Sequence, residues 1–386
     1  MQNFNYSYPV KVIFGNDAVK NNLSSLLKAE WKNIMLAYGG GSIKKNGIYD
    51  ELCTFLKNNS KNIIEFSGIM SNPTYDKVKE GAKVARDYKV DFILAVGGGS
   101  VIDCCKAISA QAKLDEDLWN FEYEKHLSPT EFIPMGAVVT AFGTGAEMNN
   151  GAVITNTEKK MKSPLWGAFY NFAILDPTYT MSMPFRQVVS GSFDSLSHCM
   201  ETYMGSPREN CLSDELNEAV MRCIIKNLRL TLNEHDNLKA RSELVWVAAM
   251  AENGILKLGK TTDFQCHMLE HQLGAYTECN HGEGLAVIHP VLYSHMLNEG
   301  KQQFARLATN VFGIDPNGKD EITLAKEFTS ALKALISECS LPSSLKEMGI
   351  SEHTDLKAIA DSTLKTPGCA KKFKNEELLE ILKECF

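Results

Sequence analysis

Two nearly identical strand–turn–helix units constrain the fold of this 386-residue chain more than any other feature. One apolar run leads into LAYGGGSI at residues 36–43, and another leads into LAVGGGSV at residues 94–101. A third run, at residues 132–139, ends in Thr140 and the segment FGTG. Strand-like runs that alternate with helical stretches predict a parallel sheet covered by helices. A further strand is expected at residues 10–14, on an edge of this sheet.

Beyond about residue 178 the sequence changes to long amphipathic patterns. Apolar residues recur with helical spacing over residues 216–230, 240–258 and 323–337, with few β-branched clusters between them. The sequence therefore predicts an α/β domain in residues 1–178 and an all-helical domain in residues 179–386.

Charge and composition exclude several classes of protein. Forty basic residues against 47 acidic ones give a net charge of −7, so no positive field exists to bind nucleic acid or an anionic membrane. The opening MQNFNYSYPV lacks the features of a secretory signal, and no apolar run reaches the ~18 residues of a membrane span. Eleven cysteines without paired spacing are expected to be reduced thiols. We therefore expect a cytoplasmic protein.

The glycines of the second turn form a candidate phosphate cradle. Gly97, Gly98 and Gly99 follow a strand and precede a helix, where backbone N–H groups and the helix N-terminus favour an anion. Alternatively, Ser100 and Asp103 form only a variant capping box after a tight turn, although three glycines exceed what capping requires. The segment matches neither GxGxxG nor the P-loop, so it does not by itself distinguish a dinucleotide from another phosphate ligand.

The first turn bears on the choice between NAD(H) and NADP(H). Dinucleotide sites commonly place a carboxylate near the adenosine ribose, where it repels a 2′-phosphate. Residues 33–47 contain no carboxylate, and the turn is followed by Lys44 and Lys45. These cations favour a 2′-phosphate, so we predict that NADP(H) is preferred. The alternative interpretation is a pair of surface lysines at the start of a solvated helix.

Histidines and one aspartate in the second half predict a metal site. Asp194 and His198 are four residues apart, as are His267 and His271, so each pair lies on one helical face. His281 follows in the segment NHGEG. A set of nitrogen and oxygen ligands without thiolates suits Fe(II) or Zn(II). The alternative is that these histidines are structural.

The segment HMLEH at residues 267–271 also matches the HxxEH pattern of inverted zinc proteases. In that hypothesis both histidines bind zinc and Glu270 is the general base of a hydrolase. The pattern is frequent by chance on helices, and a hydrolase would leave the glycine-rich turns without a function.

Taken together, these motifs resemble those of the iron-containing (group III) alcohol dehydrogenase family, in particular its butanol dehydrogenase and NADPH-dependent aldehyde reductase branch. The resemblance covers nearly the whole chain. Besides the opening strand and the two histidine segments, it rests on YGGGSIKKNG (38–47), SNPT (71–74), GGGSVID (97–103), TAFGTGAEMNNGAVIT (140–155) and ILDP (174–177).

The resemblance implies a dinucleotide-binding N-terminal domain, a metal-binding helical domain and an active site in the cleft between them. By position it implies Asp194, His198, His267 and His281 as metal ligands and His271 as an unligated catalytic histidine beside the nicotinamide. The implied cofactor contacts are Gly97, Gly98 and Ser100 for the pyrophosphate; Gly40, Gly41 and Ser42 for the adenosine phosphate; and Asn72, Thr140, Thr144, Asn149 and Lys162.

Three residues depart from the family pattern. Ala146 replaces the commoner serine, and Gln265 and Cys266 replace the usual tryptophan and alanine before His267. The expected activity is hydride transfer between NADP(H), or NAD(H), and small primary alcohols or aldehydes such as butanol and butanal. The alternatives are a polyol dehydrogenase with the same fold, the zinc hydrolase, or a non-catalytic nucleotide-binding protein. A homodimer paired through the N-terminal edge strand is also expected.

Overall fold

A parallel sheet forms the framework of the N-terminal half. The computed structural model describes residues 2–386, within which six strands form one parallel sheet in the order β1-β8-β5-β4-β2-β3. β6 and β7 pair as an antiparallel hairpin. The strands are β1 (Lys11–Phe14), β2 (Asn33–Tyr38), β3 (Asn62–Phe66), β4 (Phe92–Gly97), β5 (Met135–Val139), β6 (Gly151–Asn156), β7 (Met161–Trp166) and β8 (Phe172–Leu175).

Helices cover the sheet and make up the C-terminal half. Those of the first half are α1 (Ala18–Leu26), α2 (Ser42–Lys45), α3 (Ile48–Asn58), α4 (Tyr75–Asp87), α5 (Gly99–Gln111) and α6 (Leu118–Tyr123). Those of the second half are α7 (Phe185–Tyr203), α8 (Leu212–Asn233), α9 (Leu238–Glu252), α10 (Gln265–Thr277), α11 (His281–Ser294), α12 (Leu297–Arg306), α13 (Glu321–Glu338), α14 (Leu356–Ser362) and α15 (Asn375–Glu384).

The strand order creates a switch point between β2 and β4. From β2 the chain moves to β3 on one side, whereas from β4 it continues to β5 and β8 on the other side. β4 pairs in parallel with both β2 and β5, so the carboxyl ends of the three strands lie along one edge of the sheet. Ligands of open α/β sheets bind in the crevice at such a switch point. Here each of the two strands beside it ends in a glycine-rich turn.

Alternate side chains along the strands pack against helices. Ile34 and Leu36 of β2 and Leu94 of β4 belong to a buried apolar cluster that includes Leu23 of α1 and Leu52 of α3. The intervening strand residues are also buried, as expected for a parallel sheet covered on both faces. This core fixes the strand ends that carry the turns.

The described residues divide into two units: one comprises residues 7–184, and the other comprises residues 185–386 with residues 2–6. The sequence pattern predicts this boundary near residue 178. Helices dominate the second unit, where Tyr293, Phe304 and Phe328 pack in an aromatic cluster. The predicted fold class is therefore confirmed, including a parallel edge strand at β1. None of the helices within residues 2–386 is long and apolar enough to cross a bilayer.

Candidate active site

Helix α7 presents the first two candidate ligands. Asp194 and His198 lie one turn apart on its buried side, with 3.7 Å between Asp194 Oδ1 and His198 Nε2. Burial lowers the pKa of His198 to about 4, so this imidazole is neutral and offers a lone pair. The spacing of four residues in the sequence therefore places the two side chains next to each other.

Two further histidines converge on the same carboxylate. His267, on α10, and His281, the first residue of α11, each place Nε2 at 3.5 Å from Asp194 Oδ1. Asn280 precedes α11 and accepts a hydrogen bond from the N–H of Glu283, and this cap fixes where His281 begins the helix. The structure therefore brings Asp194, His267 and His281 within reach of one common ion, and His198 lies beside Asp194.

The distances between these atoms fit a single divalent cation. Zinc–nitrogen bonds of about 2.0–2.1 Å place tetrahedral ligand atoms roughly 3.4 Å apart, close to the 3.5–3.7 Å found here. Asp194 Oδ1 and His267 Nε2 are buried and have no hydrogen-bond partner. Because buried polar atoms in proteins are normally satisfied, these two atoms fit the role of metal ligands.

Two buried carboxylates orient the imidazoles. Glu201 bonds to Nδ1 of His267 and accepts the N–H of Cys266 at 2.6 Å, and Glu270 bonds to Nδ1 of His281. A carboxylate on one ring nitrogen leaves the other with its lone pair available to a metal. The space for Glu270 depends on Gly284, since a Cβ there would lie 2.9 Å from Glu270 Cγ.

Each carboxylate and imidazole of the cluster shifts the ionisation of its neighbours. Burial disfavours the charged form of Asp194, but His198 and His281 outweigh this effect and hold its pKa below the ordinary value. Burial also acts against protonation of His267, yet Glu201 and Asp194 together raise its pKa to about 10. Asp194 therefore remains an ionised carboxylate, and the carboxylates around His267 favour a positive charge at its ring, which a cation can supply.

His271 lies beside the cluster but is not part of the four. Its ring is 5.4 Å from that of His281 and 6.1 Å from that of His267. Among the described residues, the two groups able to hold a metal are Asp194–His267–His281 and Glu270–His271–His281. Neither combines His267 with His271, as the HxxEH hypothesis requires. The geometry therefore does not support the zinc hydrolase.

The second glycine-rich turn packs tightly against the segment after β5. A Cβ on Gly98 would lie 2.9 Å from the Cβ of Ala141, and one on Gly99 would lie 2.3 Å from Thr144 Oγ1. The N–H of Thr140 donates to the carbonyl of Gly97 at 3.0 Å. Glycines here allow the two segments to meet, so Gly97, Gly98, Ser100, Thr140 and Thr144 lie along one edge.

The first turn is open by comparison. A Cβ on Gly40 or Gly41 would meet no atom within 4 Å, and Gly41 has a φ of +95°, which favours glycine. Ser42 starts the short helix α2. Asn72, in the loop before α4, also has a positive φ of 52°. The exposed backbone of this turn leaves room for a ligand.

The carboxylate of Glu65, which the sequence pattern did not predict, lies next to this turn. Glu65, near the end of β3, accepts hydrogen bonds from Lys44 Nζ at 2.6 Å and from the hydroxyls of Tyr38 and Tyr49. Lys44 and then Tyr38 lower the pKa of Glu65 to about 2. No acidic residue occurs in residues 33–47, but the neighbouring strand supplies one. Its position near the end of β3, about 20 residues after the first turn, was the available signal.

The remaining predicted cofactor residues lie on the β6–β7 hairpin and just before it. Asn149 precedes β6 and bonds through Oδ1 to the N–H of Gly151 at 3.0 Å, whereas Lys162 lies buried on β7. Asn149 and Lys162 thus belong to the same unit as the two turns.

The eleven cysteines are all free thiols.

Comparison with known proteins agrees with this arrangement. Residues 9–177 match the family described as iron-containing alcohol dehydrogenase, and residues 188–386 match the C-terminal domain of the Fe-containing alcohol dehydrogenase family. NADH-dependent butanol dehydrogenase A of Clostridium acetobutylicum is 35% identical over 393 residues and 100% of both chains. An NADPH-dependent aldehyde reductase of Escherichia coli is 32% identical over 91% of this chain and 90% of its own.

A solved structure agrees with these sequence comparisons. The crystal structure of NADH-dependent butanol dehydrogenase A from Thermotoga maritima superposes with a TM-score of 0.93 at 33% identity, covering 100% of this chain and 99% of the other. Two family matches and full-length relatives above 30% identity leave one conclusion. This chain belongs to the iron-containing alcohol dehydrogenase family and is an NAD(P)-dependent alcohol or aldehyde oxidoreductase.

Proposed function

We propose that this enzyme interconverts small primary alcohols and their aldehydes, such as butanol and butanal, using a nicotinamide cofactor and one divalent metal ion, Fe(II) or Zn(II). The convergence of Asp194 with His198, His267 and His281 carries the proposal, because its spacing and its unsatisfied buried atoms suit a cation. The names of its relatives, butanol dehydrogenases and an aldehyde reductase, support the substrate class.

Each part of the cluster has a distinct task in this proposal. When bound, a divalent ion supplies Lewis acidity that polarises the substrate oxygen, and a reduced nicotinamide supplies the hydride. Asp194 and the imidazoles of His198, His267 and His281 would hold the ion, while Glu201 and Glu270 orient two of those imidazoles. His271, adjacent to the cluster and buried, exchanges a proton with the substrate oxygen directly or through water.

The two turns and the segment after β5 bind the dinucleotide. Gly97, Gly98 and Ser100 lie at the start of a 13-residue helix, where N–H groups favour the pyrophosphate. The open turn at Gly40, Gly41 and Ser42 takes the adenosine end. The further contacts proposed are Asn72, Thr140, Thr144, Asn149 and Lys162.

NADP(H) is proposed as the preferred nucleotide, with NADH as a usable alternative. The open first turn and Lys44 favour a 2′-phosphate, but Glu65 already pairs with Lys44. Because solvent screens an exposed ion pair, Lys44 can exchange partners at small cost. We therefore expect less than about a tenfold difference in kcat/KM between NADPH and NADH.

A combined assay tests the proposed function. The purified chain is analysed for metal and then mixed with butanal and NADPH or NADH while the nicotinamide absorbance is followed. Oxidation of the reduced cofactor that stops on chelation and returns with Fe(II) or Zn(II) supports the proposal. Turnover of glycerol with NAD or NADP, and not of butanol, would identify a polyol dehydrogenase. Cofactor binding without turnover of any alcohol or aldehyde would indicate a non-catalytic protein.

A homodimer is proposed from the exposed edge of the sheet. β1 is the terminal strand, and Phe14 at its end is 44% exposed. An unpaired edge of this kind is a template for pairing across a two-fold axis. Size-exclusion chromatography with light scattering measures the mass of the protein in solution. A monomer at micromolar concentration contradicts the proposal.

A further inference from the structure

A fully buried lysine stands on the helix that follows the second glycine-rich turn. Lys106, on α5, has no exposed surface, and its Nζ lies 3.3 Å from Oδ1 of Asp103, one turn earlier. Burying an ammonium group is costly unless it is paired and hydrogen-bonded, so such a group is retained for a reason. Neither residue has a place in the proposed cofactor contacts.

Both members of this pair hold the segment that leads into β6. Lys106 Nζ donates to Asn149 Oδ1 at 3.0 Å and to the carbonyl of Gly151 at 2.6 Å. Asp103 Oδ2 accepts the N–H of Val153 at 3.0 Å. Through this pair, α5 is joined to residues 149–153, so the glycine-rich turn at its start and Asn149 belong to one rigid arrangement.

The hydrogen bonds decide which way the Asn149 amide faces. Its Oδ1 accepts from Lys106 Nζ and from the N–H of Gly151, which uses both lone pairs of the amide oxygen. Its Nδ2 has a single long contact, 3.5 Å to the carbonyl of Gly145. The side chain of Asn149 is therefore oriented by the two hydrogen bonds to its oxygen, and its NH₂ group is available as a donor.

We propose that Lys106, together with Asp103, is a positioning residue that fixes Asn149 as a hydrogen-bond donor to an acceptor oxygen of the bound nicotinamide dinucleotide. The proposal rests on the proposed function, because it takes Asn149 as a cofactor contact. It adds a role for two buried charges on α5 and a direction for the Asn149 bond. A ligand group that itself donates would be rejected at this position.

The central variant is Asn149→Asp, which keeps the shape of the side chain and its bonds to Lys106 and Gly151 but removes the donor. We expect its Kd for NADPH to rise about tenfold or more, since one hydrogen bond to a charged or polar acceptor is lost. The Kd is measured on the metal-free protein from the nicotinamide fluorescence. A folded Asn149→Asp protein with the Kd of the wild type overturns the proposal.

Lys106→Met tests the positioning itself. It removes the ammonium but keeps much of the chain volume, and we expect the Kd for NADPH to rise about tenfold. Combined with Asn149→Ala, it should add nothing beyond Asn149→Ala alone, because both changes remove the same interaction. Multiplicative effects of the two changes on the Kd contradict the proposal. Should Lys106→Met fail to fold, Lys106→Met with Asp103→Leu removes both charges, and the same outcomes apply.

Ser109→Ala is the matched control. Ser109 is also fully buried on α5, and its hydroxyl donates to the carbonyl of Ile133 at 2.7 Å, without contact to Asn149. Its loss should lower the thermal midpoint while leaving the Kd for NADPH unchanged. An equal rise in Kd for Ser109→Ala and Lys106→Met shows that Lys106 acts through general stability and overturns the inference. If the wild type binds neither NADPH nor NADH, the proposed function itself fails.

Discussion

Replacing Glu201 with glutamine isolates the contribution of one orienting carboxylate to metal binding. Glu201 is 1% exposed and accepts three N–H groups, from Nδ1 of His267 and from the backbones of Cys266 and His267. Glutamine has a single acceptor oxygen, so its NH₂ group must face one of these donors. If that donor is His267, the imidazole relieves the conflict by moving its proton to Nε2. The lone pair directed at Asp194 is then lost.

The expected magnitude follows from this tautomer shift. Loss of an outer carboxylate typically lowers metal affinity by about 10- to 100-fold, which corresponds to roughly 1.4–2.7 kcal/mol. Competition with a chromophoric chelator for Zn(II) measures the affinity directly and does not depend on turnover. Glu270→Gln should act in the same way through His281, whose Nδ1 bonds to Glu270.

Glu218→Gln is the control for the loss of a buried carboxylate. Glu218 is 2% exposed and accepts bonds from Tyr203, Arg306 and Asn310, away from the histidines. This variant should lose stability but keep the zinc affinity of the wild type. Equal zinc affinities for Glu201→Gln and the wild type would falsify the assignment of Glu201 as an orienting group.

Three further outcomes are expected. His267→Ala should contain little metal by elemental analysis, and its turnover of butanal should be about 100- to 1,000-fold slower. Loss of a main electrostatic stabiliser usually raises the barrier by ~2.7–4 kcal/mol. Normal turnover of butanal by this variant contradicts the assignment. Gly99→Ala places a Cβ 2.3 Å from Thr144 Oγ1 and should cost about 1–3 kcal/mol in urea unfolding, partly restored by adding Thr144→Ala. Burial raises the pKa of Glu147 from 4.5 to about 7, so the folded state holds the extra proton and stability falls as pH rises through that window. Glu147→Gln should remove this dependence in pH-resolved melting curves, and an unchanged slope contradicts it.

The sequence predicted the elements whose local signals are strong. β2 and β4 each lead into one of the two predicted glycine-rich turns, and β5 lies within the predicted run 132–139, because apolar runs ended by glycine define strand ends well. Asp194 and His198 were found because two ligands on one helical face leave a spacing of four. That Asp194, His267 and His281 lie close together, however, depends on how three helices pack, which spacing alone does not encode.

The residues that were missed act through contacts between distant segments. Glu65 pairs with Lys44 because β3 lies beside β2, and a search for carboxylates confined to residues 33–47 could not detect this. The β6–β7 hairpin was also missed, since its strands carry polar residues and β7 contains a proline. Glu201 did leave a signal, because it lies seven residues after Asp194 and therefore on the same helical face.

The carboxylates also link the helices of the site in a fixed order. α7 carries Glu201, which orients His267 on α10; α10 in turn carries Glu270, which orients His281 on α11. α7 and α10 thus each provide a ligand together with the carboxylate that aligns the ligand of the next helix. Because the cluster is complete only when all three helices are packed, a metal ion binds the folded state alone and stabilises it by RT ln(1 + [L]/Kd). His198 lacks such a carboxylate, since its buried Nδ1 has no hydrogen-bond partner, and its ring is instead stacked against those of Phe264 and His267.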